Sequence, residues 1–356
     1  VSDAVRRGVA WVKVKEPEAA GRASPLELVL LALVHGGLRP GDPDFDRLFK
    51  DMMSVEPEWT YRTALRAMVL EEVERVQHQM ELFKCAQFLV DNELTNGRWT
   101  YGEKTTFPTP SLAPSKNVAS GGARAPKKPL KAPDPLAPPE KPPVKNTIAV
   151  KQQRNAGGGG DGSNSQYAAL GIRACHDSGI VLPPDVIQHA LRAWEVSQHP
   201  GPASKKGSTA SKGGMPPARG WGYQDSGDGE PYGSMTAGAV AALTIYHHIL
   251  GTPWKTEDPV NSGVHWMADH FTVKENPDAP NNRHHYYYLY ALERVGMLYP
   301  TERIGAHDWY TEGALHLLGA QDAEGSWGST VDTCFAILFL RRATRPLVES
   351  RDIRSK

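Results

Sequence analysis

Twelve stretches of helical periodicity run along this 356-residue chain, and they come in two alternating kinds. Ala4–Lys15, Asp44–Met53, Gln79–Asn92, Asp185–Gln198, Val260–Phe271 and Asp308–Ala320 mix apolar and charged positions at helical spacing. Val186, Ala190, Leu191 and Trp194 are one such stripe, which suits a helix with one wet face. Pro25–His35, Thr60–Val73, Ser163–Ser178, Ser234–Leu250, His285–Val295 and Thr330–Arg341 include helices apolar nearly all round, such as CFAILFL at Cys334–Leu340 and LELVLLALV at Leu26–Val34. A helix apolar on every side must be covered on every side. Six half-wet helices alternating with six buried ones predict an all-α fold of two concentric rings. No stretch alternates with period two over strand length, so little β-structure is expected.

Local signals set the expected boundaries. Ser24-Pro25-Leu26-Glu27 supplies an N-cap, a proline at the first helical position and a capping-box glutamate. Gly36-Gly37 closes that helix, and Asp185 and Asp308 are placed to cap theirs. Asp42, Asp44 and Asp46 alternate, but no glycine or distal glutamate follows at calcium-loop spacing, so they read as a cap and surface charge.

Two insertions interrupt the pattern. Residues 103–161 are rich in proline and lysine, end in Gly157–Gly160, and lack hydrophobic periodicity, so they are expected to stay flexible. Lys and Arg outnumber acids by ten to three from Glu103 to Gly160, making a basic arm that suits an acidic protein partner or is simply a tolerated surface loop. A shorter Gly/Ser/Lys insertion spans 200–219. The expected organisation is therefore one domain from 1–102 and 162–345, with a tail at 346–356.

Composition narrows the function classes. Lys+Arg and Asp+Glu are both 40, so no global field draws the chain to nucleic acid or an anionic membrane. No apolar run approaches the ~18 residues of a membrane span. Cys85, Cys175 and Cys334 are far apart and odd in number, which argues against a disulfide framework. The chain begins at Val1 rather than Met, as after removal of a targeting segment or at a chain boundary.

Three loops between the two kinds of helix share a signature of Gln or Glu, then Gly, then Trp. It comprises Glu93, Gly97 and Trp99 in the first, Gln198, Gly220 and Trp221 in the second, and Gln321, Gly325 and Trp327 in the third. Glycine permits the sharp exit from the helix and tryptophan anchors the next unit. Recurrence at tens of residues marks stacked supersecondary units.

This signature resembles the QW repeat of squalene and oxidosqualene cyclases and the related repeat of protein prenyltransferase β subunits. SNSQYAALG, HYYYLYALERVG and VDTCFAILFLRRA also resemble bacterial proteins carrying that repeat. The resemblance covers nearly the whole chain outside the insertions. It implies an α6/α6 toroid in which inner-helix N-termini converge on one mouth of a central cavity. That mouth would gather Arg62, Asn164, Gln166, Tyr167, Ser234, Thr236, His284, His285, Tyr286, Asp332 and Cys334. Helix N-termini favour an anionic group, and aromatic walls favour an apolar tail.

Asp332-Thr333-Cys334 resembles the Asp-x-Cys zinc pair of prenyltransferases, at the start of an inner helix. Those enzymes take a histidine from further along, and none follows His316, so His284 or His285 would complete a rewired zinc site. The same pair also fits a helix cap with packing around it. The D-x-D-D acid motif of squalene cyclases and a DDxxD diphosphate motif are both absent from the sequence. Tyr286, Tyr287, Tyr288 and Tyr290 read as one helix face plus its flanks, of which at most one or two should line the cavity. The implied function is a prenyltransferase- or terpene-cyclase-like protein holding an isoprenoid or other amphiphile, with Asp332, Cys334 and His285 as its chemical centre and Tyr286 as a further catalytic residue. The alternatives are a non-catalytic repeat scaffold for protein interaction, and a polysaccharide lyase or hydrolase using Asn164, His285, Tyr286 and Arg62.

Overall fold

A computed structural model of the chain describes residues 1–15, 22–107, 146–149, 159–201, 216–224 and 229–347. Among them lie twelve α-helices: α1 (Ser2–Val14), α2 (Leu26–Gly36), α3 (Pro43–Met53), α4 (Thr60–Glu74), α5 (Gln79–Asp91), α6 (Gly162–Asp177), α7 (Pro184–Ser197), α8 (Gly233–Leu250), α9 (Asp258–Asp269), α10 (His285–Leu298), α11 (Trp309–Ala320) and α12 (Thr330–Arg341). Strand is limited to two-residue pairings. β1 (Asn146–Thr147) runs parallel to β2 (Ile180–Val181), and β3 (Arg303–Ile304) antiparallel to β4 (His307–Asp308).

The helices keep the two kinds of face expected of them. Leu26 to Val34 of α2, Gly233 to His247 of α8 and Thr333 to Leu340 of α12 are buried without interruption. By contrast α3 buries only Phe45, Leu48 and Met52, a single stripe. The even-numbered helices pack in sequence, α2 on α4, α4 on α6, α6 on α8, α8 on α10 and α10 on α12. The series then closes, because α12 packs on α2. Odd-numbered helices lie against these, α5 on α4 and α6, α11 on α10 and α12, and α1 on α12 and α2. Each fully buried leucine in such a helix contributes about 1.5–3 kcal/mol.

Some local expectations need correction. Asp185 sits inside α7 behind Pro183 and Pro184 and caps nothing, whereas Asp308 does accept the Thr311 N–H at 2.9 Å. Glu27 forms no capping box, because Arg62 holds its carboxylate from two sides at 2.8 Å. Gly37 closes α2 in the left-handed conformation, as expected. Most of 103–161, much of 200–219 and the end of the 346–356 tail lie outside the described residues. Residues 146–149 of the first insertion are ordered, with β1 paired to β2 and the Ala149 carbonyl accepting from Gln87 Nε2 at 3.0 Å.

The three tryptophan loops are built alike. Each indole N–H donates to a carbonyl of the preceding odd-numbered helix: Trp99 to Leu89 at 2.7 Å, Trp221 to Trp194 at 2.8 Å, Trp327 to Leu317 at 2.8 Å. Each backbone N–H donates to a hydroxyl one turn into the following even-numbered helix, on Ser165, Thr236 or Thr333 at 3.0–3.1 Å. Gln198 and Gln321 complete the brace from their Nε2 groups. Gln198 reaches the Arg219 and Pro259 carbonyls, and Gln321 those of Gly325 and Ala4. By this pairing Arg219, not Gly220, corresponds to Gly325. Gly97 and Gly325 have positive φ, and a Cβ there would lie 2.5 Å from the His189 carbonyl oxygen and 2.8 Å from that of Arg7. The loops thus join one odd helix, one even helix and the next odd helix, and the last returns to α1.

Candidate functional site

The even-numbered helices meet their neighbours start to start and end to end. At the starts, Tyr61 of α4, Tyr167 of α6 and Tyr287 of α10 come together. Their ring centroids lie 4.1 Å (Tyr61–Tyr167) and 6.0 Å (Tyr167–Tyr287) apart. The Tyr61 hydroxyl donates to that of Tyr167 at 3.3 Å, and Tyr287 shares a 3.1 Å hydrogen bond with Ser163. Phe335 of α12 extends the cluster, 5.7 Å from Tyr287 and 5.8 Å from Tyr290. Tyr61 and Tyr287 keep partial exposure, while Tyr167 and Tyr290 are buried.

One face of α10 brings a cation into these rings. Tyr287, Tyr290 and Arg294 fall at i, i+3 and i+7, so they share a stripe. The Arg294 guanidinium lies 4.7 Å from the Tyr290 centroid, 5.3 Å from Tyr167 and 5.9 Å from Tyr287. Arg294 is 1% exposed, and its Nη2 donates to Gln166 Oε1 at 2.8 Å. Nε and Nη1 of Arg294, and Nε2 of Gln166, are buried with no hydrogen-bond partner among the described residues. The adjacent Glu293 carboxyl is occupied elsewhere, accepting from Thr344 N at 2.9 Å and Thr344 Oγ1 at 2.7 Å. Burial opposes the Arg294 charge, while the oxygens of Tyr167, Tyr290 and Tyr287 and the Glu293 carboxyl act the other way and raise its pKa. Burial pushes the Tyr61 and Tyr287 phenols well up, so they stay neutral donors and acceptors.

The residues singled out in the sequence divide among several roles. Gln166 and Tyr167 belong to this cluster. Asn164 is spent on Asp161, which caps α6, through hydrogen bonds at 2.7 and 2.9 Å. Ser234 is bound to the buried Asn276, whose amide also carries the Arg283 carbonyl and so fixes the approach to α10. That approach holds Asp278, Asn281, Asn282 and His284 at positive φ, a conformation asparagine tolerates. Thr236 serves the Trp221 brace and Arg62 the Glu27 pair. Tyr287 comes from the aromatic run marked in the sequence, whereas Arg294 and Tyr61 were not singled out, although a charged residue inside a buried helix was a signal available in the sequence.

Asp332, Cys334 and His285 are not among the described side chains whose ligating atoms lie within 4.8 Å of one another, although Asp332 is near enough to act on both of the others. Ser329 caps α12, its hydroxyl accepting from Asp332 N at 3.1 Å and donating to Asp332 Oδ2 at 2.7 Å. Cys334 is buried, and burial raises its thiol far above the usual range. His285 is paired through Nε2 with the Val273 carbonyl at 2.9 Å, and burial lowers its pKa although Asp332 acts the other way. Tyr286 lies beside His285, half-buried, with ring centroids 5.3 Å apart.

Among the described residues, the side chains that bring three metal-ligating atoms within 4.8 Å of one another are instead His176, Asp177 and His248. They lie at the ends of α6 and α8, opposite to the helix starts that carry the tyrosines. A metal ion can be held there. A separate cavity of about 660 Å³, lined by His199, Arg219, Glu230, Trp266, Asp269 and His270, contains none of the proposed catalytic or ligand-binding residues. No protein-family model matches the chain, and no curated protein matches it significantly.

Proposed function

We propose that the closed series of even-numbered helices is the inner wall of an α6/α6 toroid, and that its axis binds an anionic amphiphile of isoprenoid type. In this reading Arg294 and Gln166 hold the anionic head, while Tyr61, Tyr167, Tyr287 and Phe335 hold the apolar tail. The observation that carries it is a buried guanidinium with two nitrogens, and the amide facing it, unpartnered among the described residues. A buried ion left without a partner costs several kcal/mol. Cation–π contacts offset this by about 0.5–2 kcal/mol each. They do not satisfy N–H groups, which a carboxylate or phosphate would.

The same cation argues against the terpene-cyclase variant. A developing carbocation needs the tyrosine faces that Arg294 already occupies, and two cations in one dry site repel each other strongly. Zinc-assisted prenyl transfer through Asp332, Cys334 and His285 would require Asp332 to leave Ser329 and His285 to leave the Val273 carbonyl. Binding or delivery of the amphiphile is therefore the better-supported activity.

The scaffold reading draws on a different observation, the unbroken ring contacts from Tyr61 through Tyr167 and Tyr287 to Phe335. There the axis is a plug, and the basic 103–161 arm is the contact element. Solvent extraction of the purified protein, followed by titration with farnesyl diphosphate, farnesol and inorganic diphosphate, separates the two. The amphiphile reading expects the two-part ligand to bind at least tenfold tighter than either fragment. No binding of any of the three favours the plug.

A further inference from the structure

We infer that His176, Asp177 and His248 form a binding site for a first-row divalent transition-metal ion that ties the end of α6 to the end of α8. The inference is independent of the axial ligand. Two imidazole nitrogens and one carboxylate oxygen are the donors that zinc, nickel and cobalt prefer over calcium or magnesium. The three atoms lie within 4.8 Å of one another. Three atoms bound to one ion at about 2.0–2.2 Å in tetrahedral geometry stand about 3.3–3.6 Å apart. Side-chain movements of about 1–1.5 Å therefore close the set.

The surroundings prepare each ligand. His176 Nδ1 lies 3.0 Å from Asp177 Oδ1, so two of the three donor atoms already stand side by side. The other carboxylate oxygen, Oδ2, is held by Arg173 Nε at 3.3 Å, which leaves Oδ1 to turn toward the ion. Arg75 Nη1 donates to the Asp177 carbonyl at 2.9 Å and fixes the end of α6. The His248 ring stands edge-on to both Trp254 and His176, with centroids 6.1 and 6.0 Å away. Such outer partners orient metal ligands in general. The side chains of His176 and Asp177 are 23% and 18% exposed, enough to admit an ion and leave room for water as further ligands.

A His176–Asp177 ion pair alone would serve as an ordinary helix-end contact. The third donor, from a different helix, is what such a pair does not need. A metal here would be structural, fastening two neighbouring even-numbered helices at the face opposite the tyrosine cluster.

The test is calorimetric titration of Zn²⁺ into the full, chelator-stripped chain, alongside His248→Ala and His248→Gln. The expected result is about one Zn²⁺ per chain with a raised Tm, and at least tenfold weaker binding in both variants. Their Tm without metal should stay close to that of the parent, and Cys334→Ser should bind as the parent does. Two results would overturn the inference: no Zn²⁺ binding by the parent chain, or unchanged affinity and stoichiometry in whichever His248 variant folds. The second outcome would mean the ion sits on others of the 13 histidines.

Discussion

Glu93 occupies the position that Gln198 and Gln321 hold in the other two tryptophan loops, and burial makes it imitate them. Desolvation, assisted by the charge of Asp185, pushes its carboxyl up to about 8, although His189 Nδ1 stands 3.4 Å away. The neutral acid is then the prevailing form at neutral pH, and it can donate a hydrogen bond as glutamine does. A carboxyl whose folded pKa is raised binds its proton more tightly in the native state. Its contribution to stability is complete below about 4.5 and is lost as pH rises through about 8. Glu93→Gln should therefore flatten the stability profile between those limits and raise Tm most at the alkaline end. Urea denaturation at pH 5 and pH 8.5 measures this, and an equal shift at both would refute it. Glu293, pushed up to about 7 by burial, adds a slope of the same sign that the Glu93 variant retains.

At the scale of single elements, the loops carry more of the architecture than their length suggests. Gly325 combines φ +100° with a close approach to the Arg7 carbonyl. Gly325→Ala should cost about 1–3 kcal/mol through backbone strain and contact with α1, read as a lowered Tm. Thr333→Val keeps shape and removes the acceptor for Trp327 N, leaving a buried N–H unpaired at about 1–3 kcal/mol. Gly319→Ala, with open space at its Cβ, is the control that should change little.

These loops were also what made the fold legible. The Gln/Glu–Gly–Trp pattern and helices as apolar as Cys334–Leu340 are local properties, and all twelve helices fall within a few residues of the periodic stretches. Misjudged ends have local competitors: Pro183-Pro184 starts α7 before Asp185 can cap it, and Arg62 draws Glu27 away from its own helix end. The candidate site was legible only in part. Gln166 and Tyr167 were marked because they stand at a helix start. Arg294 lies a single residue short of where the sequence placed the end of its helix, and α10 in fact continues to Leu298. Its partners come from α6 and from its own buried stripe, a convergence that periodicity along one segment does not encode. The metal-ligating set at His176, Asp177 and His248 is non-local in the same way, joining helix ends 71 residues apart in sequence.

For the whole molecule, the account joins two opposite faces of one helical assembly. Starts of the even helices gather neutral phenols around one buried cation, and their ends gather His176, Asp177 and His248. The charge balance of the chain, 40 basic against 40 acidic residues, supplies no long-range pull on a ligand. Recognition in the proposed site must then come from Arg294 and the rings about it. Calorimetric titration of farnesyl diphosphate into the full chain and into Arg294→Met, with the Tm of both recorded, tests this most directly. The account predicts saturable binding to the parent chain, and at least tenfold weaker binding to the variant, a loss of about 1.4 kcal/mol or more. Absence of binding by the parent, together with a higher Tm for Arg294→Met, would contradict it and identify the cation as part of a structural plug.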